Sequence, residues 1–199
     1  MSASGLYVAE SESVTVRDPL IVGVAINVPP PWGEQLAQAR TRFTDSNAPP
    51  VAPHITVLAP TTVPAWQLDS VQAHLARVAE DCPAFDVRLR GTATFRPVSP
   101  VVFLSVVEGI SGCERLERSV RSGVLLRRRP FPFHPHVTVA HDVSDYRLDE
   151  AYESLDDFSA RFRAESFTLS SQDESGQWTV LGDYPLRGAS LSPARYRRD

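Results

Sequence analysis

Pro135-His136-Val137-Thr138-Val139 repeats, 82 residues downstream, the pattern of Pro53-His54-Ile55-Thr56-Val57. Each copy lies between turn-prone segments and reads as a strand. Side chains alternate between the two faces of a strand. His54 and Thr56 therefore share one face, as do His136 and Thr138, while Ile55, Val57, Val137 and Val139 take the other. Two residues of rise set each His about 6.6 Å from its Thr, a span that a phosphate group bridges. Two of only five histidines occupy this one frame, which favours a paired site over two unrelated structural imidazoles.

The chain around the motifs alternates helix and strand patterns. The apolar run 20–28 reads as a buried central strand stopped by Pro29-Pro30-Pro31. Residues 32–43 suit a helix with Leu36, Ala39 and Phe43 on one stripe. The stretch 47–50 is a loop into the first motif. Pro64 suits the first turn of a second helix, whose face is Leu68, Val71, Leu75 and Val78, and Cys82-Pro83 ends it. Strands are expected over 85–95 and 101–107, around a turn at 97–100. A helix over 112–125 follows, with Leu116, Val120 and Val124 inward. After the second motif come a helix over 148–158, with Leu148, Tyr152, Leu155 and Phe158 aligned, and a hairpin over 164–171 and 178–186.

The halves repeat: each motif is followed by a helix and then a hairpin. Phe85 lies 31 residues after His54, and Phe167 lies 31 residues after His136. This is an internal duplication, and a pseudo-two-fold arrangement would set both motif strands across one cleft. Residues 1–18 are expected to form a flexible N-terminal arm, 19–187 one two-lobed domain and 188–199 a disordered tail.

Composition is that of a globular chain, with 42% hydrophobic and 22% charged residues. A net charge of −4 offers no global field for long duplex nucleic acid, though a local patch suffices for nucleotides or RNA ends. Cys82 and Cys113 have no metal or redox spacing and read as reduced thiols. No apolar run is long enough to span a bilayer. A cytoplasmic monomer with no membrane partner is the expectation.

At the doubled His-x-Thr-x the sequence resembles the two-histidine (2H) phosphoesterase superfamily, which includes 2'-5' RNA ligase-like proteins and cyclic phosphodiesterases. The resemblance covers roughly residues 19–187. It implies an α+β fold, bilobal, with antiparallel sheets facing a central cleft, and hydrolysis of a cyclic phosphate or 2'-5' phosphodiester of a nucleotide or RNA end. Position by position, the family's functional residues fall on His54 and His136 as catalytic pair and on Thr56 and Thr138 as phosphate binders, with no metal and no cofactor. The residues suit that chemistry. Histidine exchanges protons near neutrality, and a Thr hydroxyl donates to phosphate oxygens.

Two departures flank the motifs. Ala59-Pro60 stands where many relatives carry an aromatic and Pro, which removes one candidate for base stacking. His141 stands where relatives often carry a basic residue, but strand parity assigns it to the back face as a structural residue. His134 shares parity with His136 and, with Arg128 of the run Arg127-Arg128-Arg129, is a candidate for the cleft rim. His74 reads as a surface residue.

Two other readings stay open on sequence. His134-Pro135-His136 with His141 or Asp142 could ligate zinc in a hydrolase, which leaves the repeated Thr unexplained. A nucleotide or RNA-end binding module would use the same cleft without turnover. Hydrolysis is expected over ligation, since no adenylation lysine motif is visible.

Overall fold

The computed structural model describes residues 19–43 and 51–189. The expected arm over 1–18, the loop 47–50 and the tail from 190 onward lie outside the described residues. Gly188, expected in the disordered tail, is instead held: its N–H donates to the Cys82 carbonyl and that of Arg187 to Ala79.

In chain order the elements are β1 (Leu20–Asn27), α1 (Trp32–Arg40), β2 (His54–Val63), α2 (Leu68–Asp81), β3 (Phe85–Thr94), β4 (Val101–Glu108), α3 (Ile110–Val120), β5 (His136–His141), α4 (Asp145–Ser154), β6 (Ser159–Ala164), β7 (Ser166–Gln172) and β8 (Trp178–Pro185). The strands form one antiparallel sheet in the order β6-β3-β4-β5-β2-β1-β7-β8. The two expected lobes are its four-stranded halves. They meet where β2 pairs with β5 through a single rung, Ile55 with Val137.

Reading the order outward from that seam maps β5 onto β2, β4 onto β1, β3 onto β7 and β6 onto β8. Phe85 on β3 and Phe167 on β7 therefore lie on mirrored strands but not at mirrored rungs: Ala93 pairs with Phe103 and Thr168 with Ala25, which makes Thr92 the counterpart of Phe167. The two hairpins are not equivalent, however. β4 lies on the seam side of β3, whereas β8 lies on the outer side of β7. The repeated unit is strand-helix-strand-helix-strand, and β6 and β8 are extra edge strands.

Helices cover the face opposite the histidines. Ile55, Val57, Val137 and Val139 are all buried there with Leu75, Leu116 and Leu148 in one core. The helix before each motif strand packs behind the other motif strand: α1 meets β5 and α3 meets β2. None of the helices is long and apolar enough to cross a membrane, among the described residues.

Three local expectations change. The helix expected over 112–125 ends at Val120, because Gly123 takes a positive φ of 54° that the α conformation does not allow; a 3-10 turn then buries Leu125. α4 ends at Ser154, and its packed stripe is Leu148 and Ala151, leaving Tyr152 exposed. Residues 159–164 form edge strand β6, with Ala160, Phe162 and Ala164 buried in strict alternation. His74 is also not on the surface. It lies on the inner stripe of α2, 8% exposed, and its Nε2–H donates to the Val120 carbonyl at 3.1 Å, tying α2 to α3. Both cysteines are buried free thiols, and burial pushes Cys113 up to about 12.

Candidate active site

The Ile55–Val137 rung decides how the two motifs face each other. Continuing that antiparallel register by one residue each way sets Thr138 across from His54 and His136 across from Thr56. The four polar side chains thus form a square with like residues on the diagonals. Direct neighbours have Cβ atoms about 4.5–5.5 Å apart and diagonal ones about 7–8 Å, so the imidazoles flank a space of phosphate size. His54, Thr56, His136 and Thr138 are all half-buried, between fully buried neighbours.

Both imidazoles are fixed in the same way. His54 Nδ1–H donates to the Ala52 carbonyl at 2.7 Å, and His136 Nδ1–H donates to the His134 carbonyl at 2.7 Å. Each bond sets the tautomer and leaves Nε2 as the nitrogen that can exchange a proton. Burial pulls both imidazoles below their ordinary 6.5. The charge of Arg40 pulls His54 the same way, and charge on His134 and His54 does so for His136, against the lifting effect of each backbone bond.

A cavity of about 600 Å³ opens beside the square on the β1 side, lined by His54, Thr56 and Thr138. His136 borders the opposite side, with its ring 5.0 Å from those of both Phe95 and Phe103. The asymmetry has a plain cause. Ala25 pairs with Thr56, and Phe103 pairs with Thr138, so these two occupy mirrored positions. Phe103, 2% exposed, fills on one side the space that Ala25 leaves open on the other.

His141 requires a correction. It lines this cavity and is exposed, whereas simple parity placed it behind the sheet. Val102 pairs with Ala140 and Phe103 with Thr138, so Val139 is an extra residue in β5. The bulge turns Val139 and Ala140 both inward, with 1% and 0% exposure, and reverses the parity beyond them. β2 bulges at the mirrored residue: Val24 pairs with Leu58 and Ala25 with Thr56, leaving Val57 extra. His141 Nδ1 is 3.0 Å from Asp142 Oδ2, and Asp142 holds a positive φ of 53°.

The other rim candidates lie elsewhere. His134 stacks on His136 at 6.2 Å between ring centroids, outside the cavity lining. Arg128 sits in a separate shallow hollow with Arg129 and Pro130. Arg129 pairs with buried Glu117 at 2.9 Å, which also holds Arg121, so the basic run anchors its loop to α3. Among the described residues, no three His, Cys, Asp or Glu side chains gather as metal ligands.

Arg40 is the cavity residue that sequence reading overlooked. It ends α1, lines the cavity and donates from Nη1 to the Val51 carbonyl at 3.1 Å. Its signal was spacing, four residues after Leu36 on the buried stripe. Asn27, which pairs with His54, donates to Thr168 Oγ1 at 3.0 Å, and Trp178 closes the far end of the cavity.

Comparison with known proteins gives the family and the fold. The family model described as the 2'-5' RNA ligase superfamily matches residues 28–176. The chain belongs to that superfamily. A Geobacillus kaustophilus protein named "Putative phosphoesterase" is 27% identical over 162 residues, 80% of this chain and 93% of its own length. A Bacillus cytotoxicus protein of the same designation is 30% identical over 138 residues, 68% of this chain and 80% of its own. Among solved structures, E. coli LigT complexed with 3'-AMP superposes with a TM-score of 0.63 at 24% identity, over 85% of this chain and 99% of that one. A Thermus thermophilus protein gives 0.57 at 25% identity, over 85% and 100%. The chain therefore shares the LigT fold.

Proposed function

We propose that the protein hydrolyses a phosphodiester at a nucleotide or RNA end, either a 2',3'-cyclic phosphate or a 2'-5' linkage, with His54 and His136 as the acid–base pair. The observation that carries this reading is the square of two His and two Thr whose imidazoles are tethered identically through Nδ1. One neutral Nε2 takes a proton from the attacking water as its oxygen bonds to phosphorus. The other, protonated, imidazole gives its proton to the leaving oxygen as the far P–O bond breaks. Turnover ends with the two protonation states exchanged, and solvent resets them. Thr56 and Thr138 donate to the non-bridging oxygens, and Arg40 supplies positive charge toward the phosphate.

Hydrolysis is the direction this chain suits. The sequence contains no lysine, so a lysyl-nucleotide ligation intermediate has no side chain on which to form. The complex of LigT with 3'-AMP adds support for a nucleotide-sized ligand. The test is turnover of nucleoside 2',3'-cyclic phosphates and a 2'-5'-linked dinucleotide in the presence of EDTA. Hydrolysis of at least one, undiminished by the chelator, is expected. Binding without turnover would reassign the cleft to a nucleotide-binding module, and activity restored only by added metal would overturn the acid–base pair.

A further inference from the structure

The cavity extends well past the phosphate square, along β1 toward β7 and β8. Its lateral wall is built by an exchange between two residues on different strands. Gly23 lies in mid-strand on β1, and the six-membered ring of Trp178 from β8 lies over it. A Cβ at residue 23 would stand 3.1 Å from both Cζ3 and Cη2 of that ring. A strand glycine of this kind marks a place where another group approaches the backbone closely. Ala25, next on the same face, adds only a methyl, so the floor between Trp178 and Thr56 is open. Gly23 lies two residues along β1 from Ala25, the partner of Thr56, and one strand spacing across, which puts the indole roughly 8–10 Å from the phosphate square, within reach of a base joined through ribose.

The flanking groups suit a planar polar ring. Ser170 pairs with Gly23 on the β7 side, and Gln172 pairs with Trp178. Gln172 is steadied by its Nε2, which donates to the Gly176 carbonyl at 3.1 Å. Val180, 64% exposed, completes an apolar border. The mirrored half has no such room, because Phe95 and Phe103 pack there with centroids 4.3 Å apart.

We infer that this end of the cavity is a nucleobase subsite, in which Trp178 is the stacking surface and Gly23 makes the room for it. The inference rests on the reading that the phosphate occupies the His–Thr square. It also supplies the aromatic surface that Ala59 does not. The substrate class is a nucleoside phosphate rather than a base-free phosphodiester.

The experiment compares wild type, Trp178→Ala and Trp178→Phe on adenosine 2',3'-cyclic phosphate and on methyl riboside 2,3-cyclic phosphate, which lacks a base. Calorimetric titration with AMP and with ribose phosphate runs in parallel. Stacking of one base on an aromatic side chain corresponds to roughly a five- to hundredfold change in binding. Trp178→Ala is expected to raise KM for the nucleotide about tenfold, with kcat within about threefold of wild type and the base-free substrate unaffected. Trp178→Phe should retain most of the affinity, which separates loss of stacking from misfolding. Equal effects on both substrates, or none on either, would overturn the subsite while leaving the phosphoesterase reading intact. AMP binding that depends on Trp178 in a protein that turns over neither substrate would uphold the subsite and remove the phosphoesterase reading. AMP binding indifferent to Trp178, or no AMP binding at all, overturns the subsite.

Discussion

Ile55 pairs with Val137, and through that one rung the two copies of the motif become a single square. His54→Ala and His136→Ala should each lower turnover by about a hundred- to ten-thousandfold, the scale of positioned proton transfer. The double variant should lose less than the product of the two, since residues acting as a unit are not additive. Single-turnover rates on a nucleoside 2',3'-cyclic phosphate check this. Near wild-type turnover in either single variant would remove the paired mechanism.

Activity should be bell-shaped in pH, with its centre on the acid side of 6.5. Burial lowers both imidazoles from 6.5 in the free enzyme, and the productive form holds one proton between the two. That form lies between two macroscopic values that belong to the pair, and kcat/KM reports them for the free enzyme. Stability has the matching sign. Below 6.5 the unfolded state binds protons that the folded state resists, so stability present at higher pH is lost as pH falls through the lowered folded values. A kcat/KM that climbs to a plateau above pH 7 would contradict the assignment.

His141 reaches the cavity only because β5 bulges, and its place beside the square suits a phosphate contact. His141→Ala should lower kcat/KM about tenfold, in line with loss of a hydrogen bond to a charged group, and His141→Arg should restore most of it. Asp142→Gly should leave the unfolding midpoint unchanged, because the residue already holds a left-handed φ that glycine adopts freely. It should still weaken substrate binding severalfold by releasing His141. Steady-state kinetics with parallel thermal unfolding separates the two effects.

Ala25→Phe would place on the open side what Phe103 places on the closed one. Nucleotide affinity should fall more than tenfold, read by calorimetry, while overpacking costs about 1–3 kcal/mol of stability, read by urea unfolding. An unaltered affinity would mean that ligands do not use the β1 side.

Much of this was legible in the chain. The doubled motif gave the seam strands, and the 31-residue spacing matched strand β3 with strand β7, though not Phe85 with Phe167 rung for rung. What strict alternation could not show was the bulge, although its trace is there: Val57-Leu58 and Val139-Ala140 are adjacent apolar pairs that break the period of two. Missing it put His141 on the wrong face. Arg40 and Trp178 escaped for a different reason. Each meets the site through tertiary packing, one from a helix end and the other across two strands; spacing from Leu36 marks Arg40 as inward-facing, but no local pattern encodes which site it meets. β6 was missed because its inward residues are two alanines and one phenylalanine, too small a hydrophobic signal beside its arginines.

The exchange of helices, with α1 behind β5 and α3 behind β2, bears on how the chain acquires its structure during synthesis. β1 must wait for β7: Asn27 bonds to Thr168, 141 residues later. The first half leaves the ribosome with its motif strand uncovered and one edge of β1 unpaired. Neither duplicated unit holds a complete interior of its own, so the two are expected to consolidate together, late and slowly, as chains dominated by distant contacts do. Fragments cut near residue 100 should stay unstructured apart and regain the sheet only on mixing.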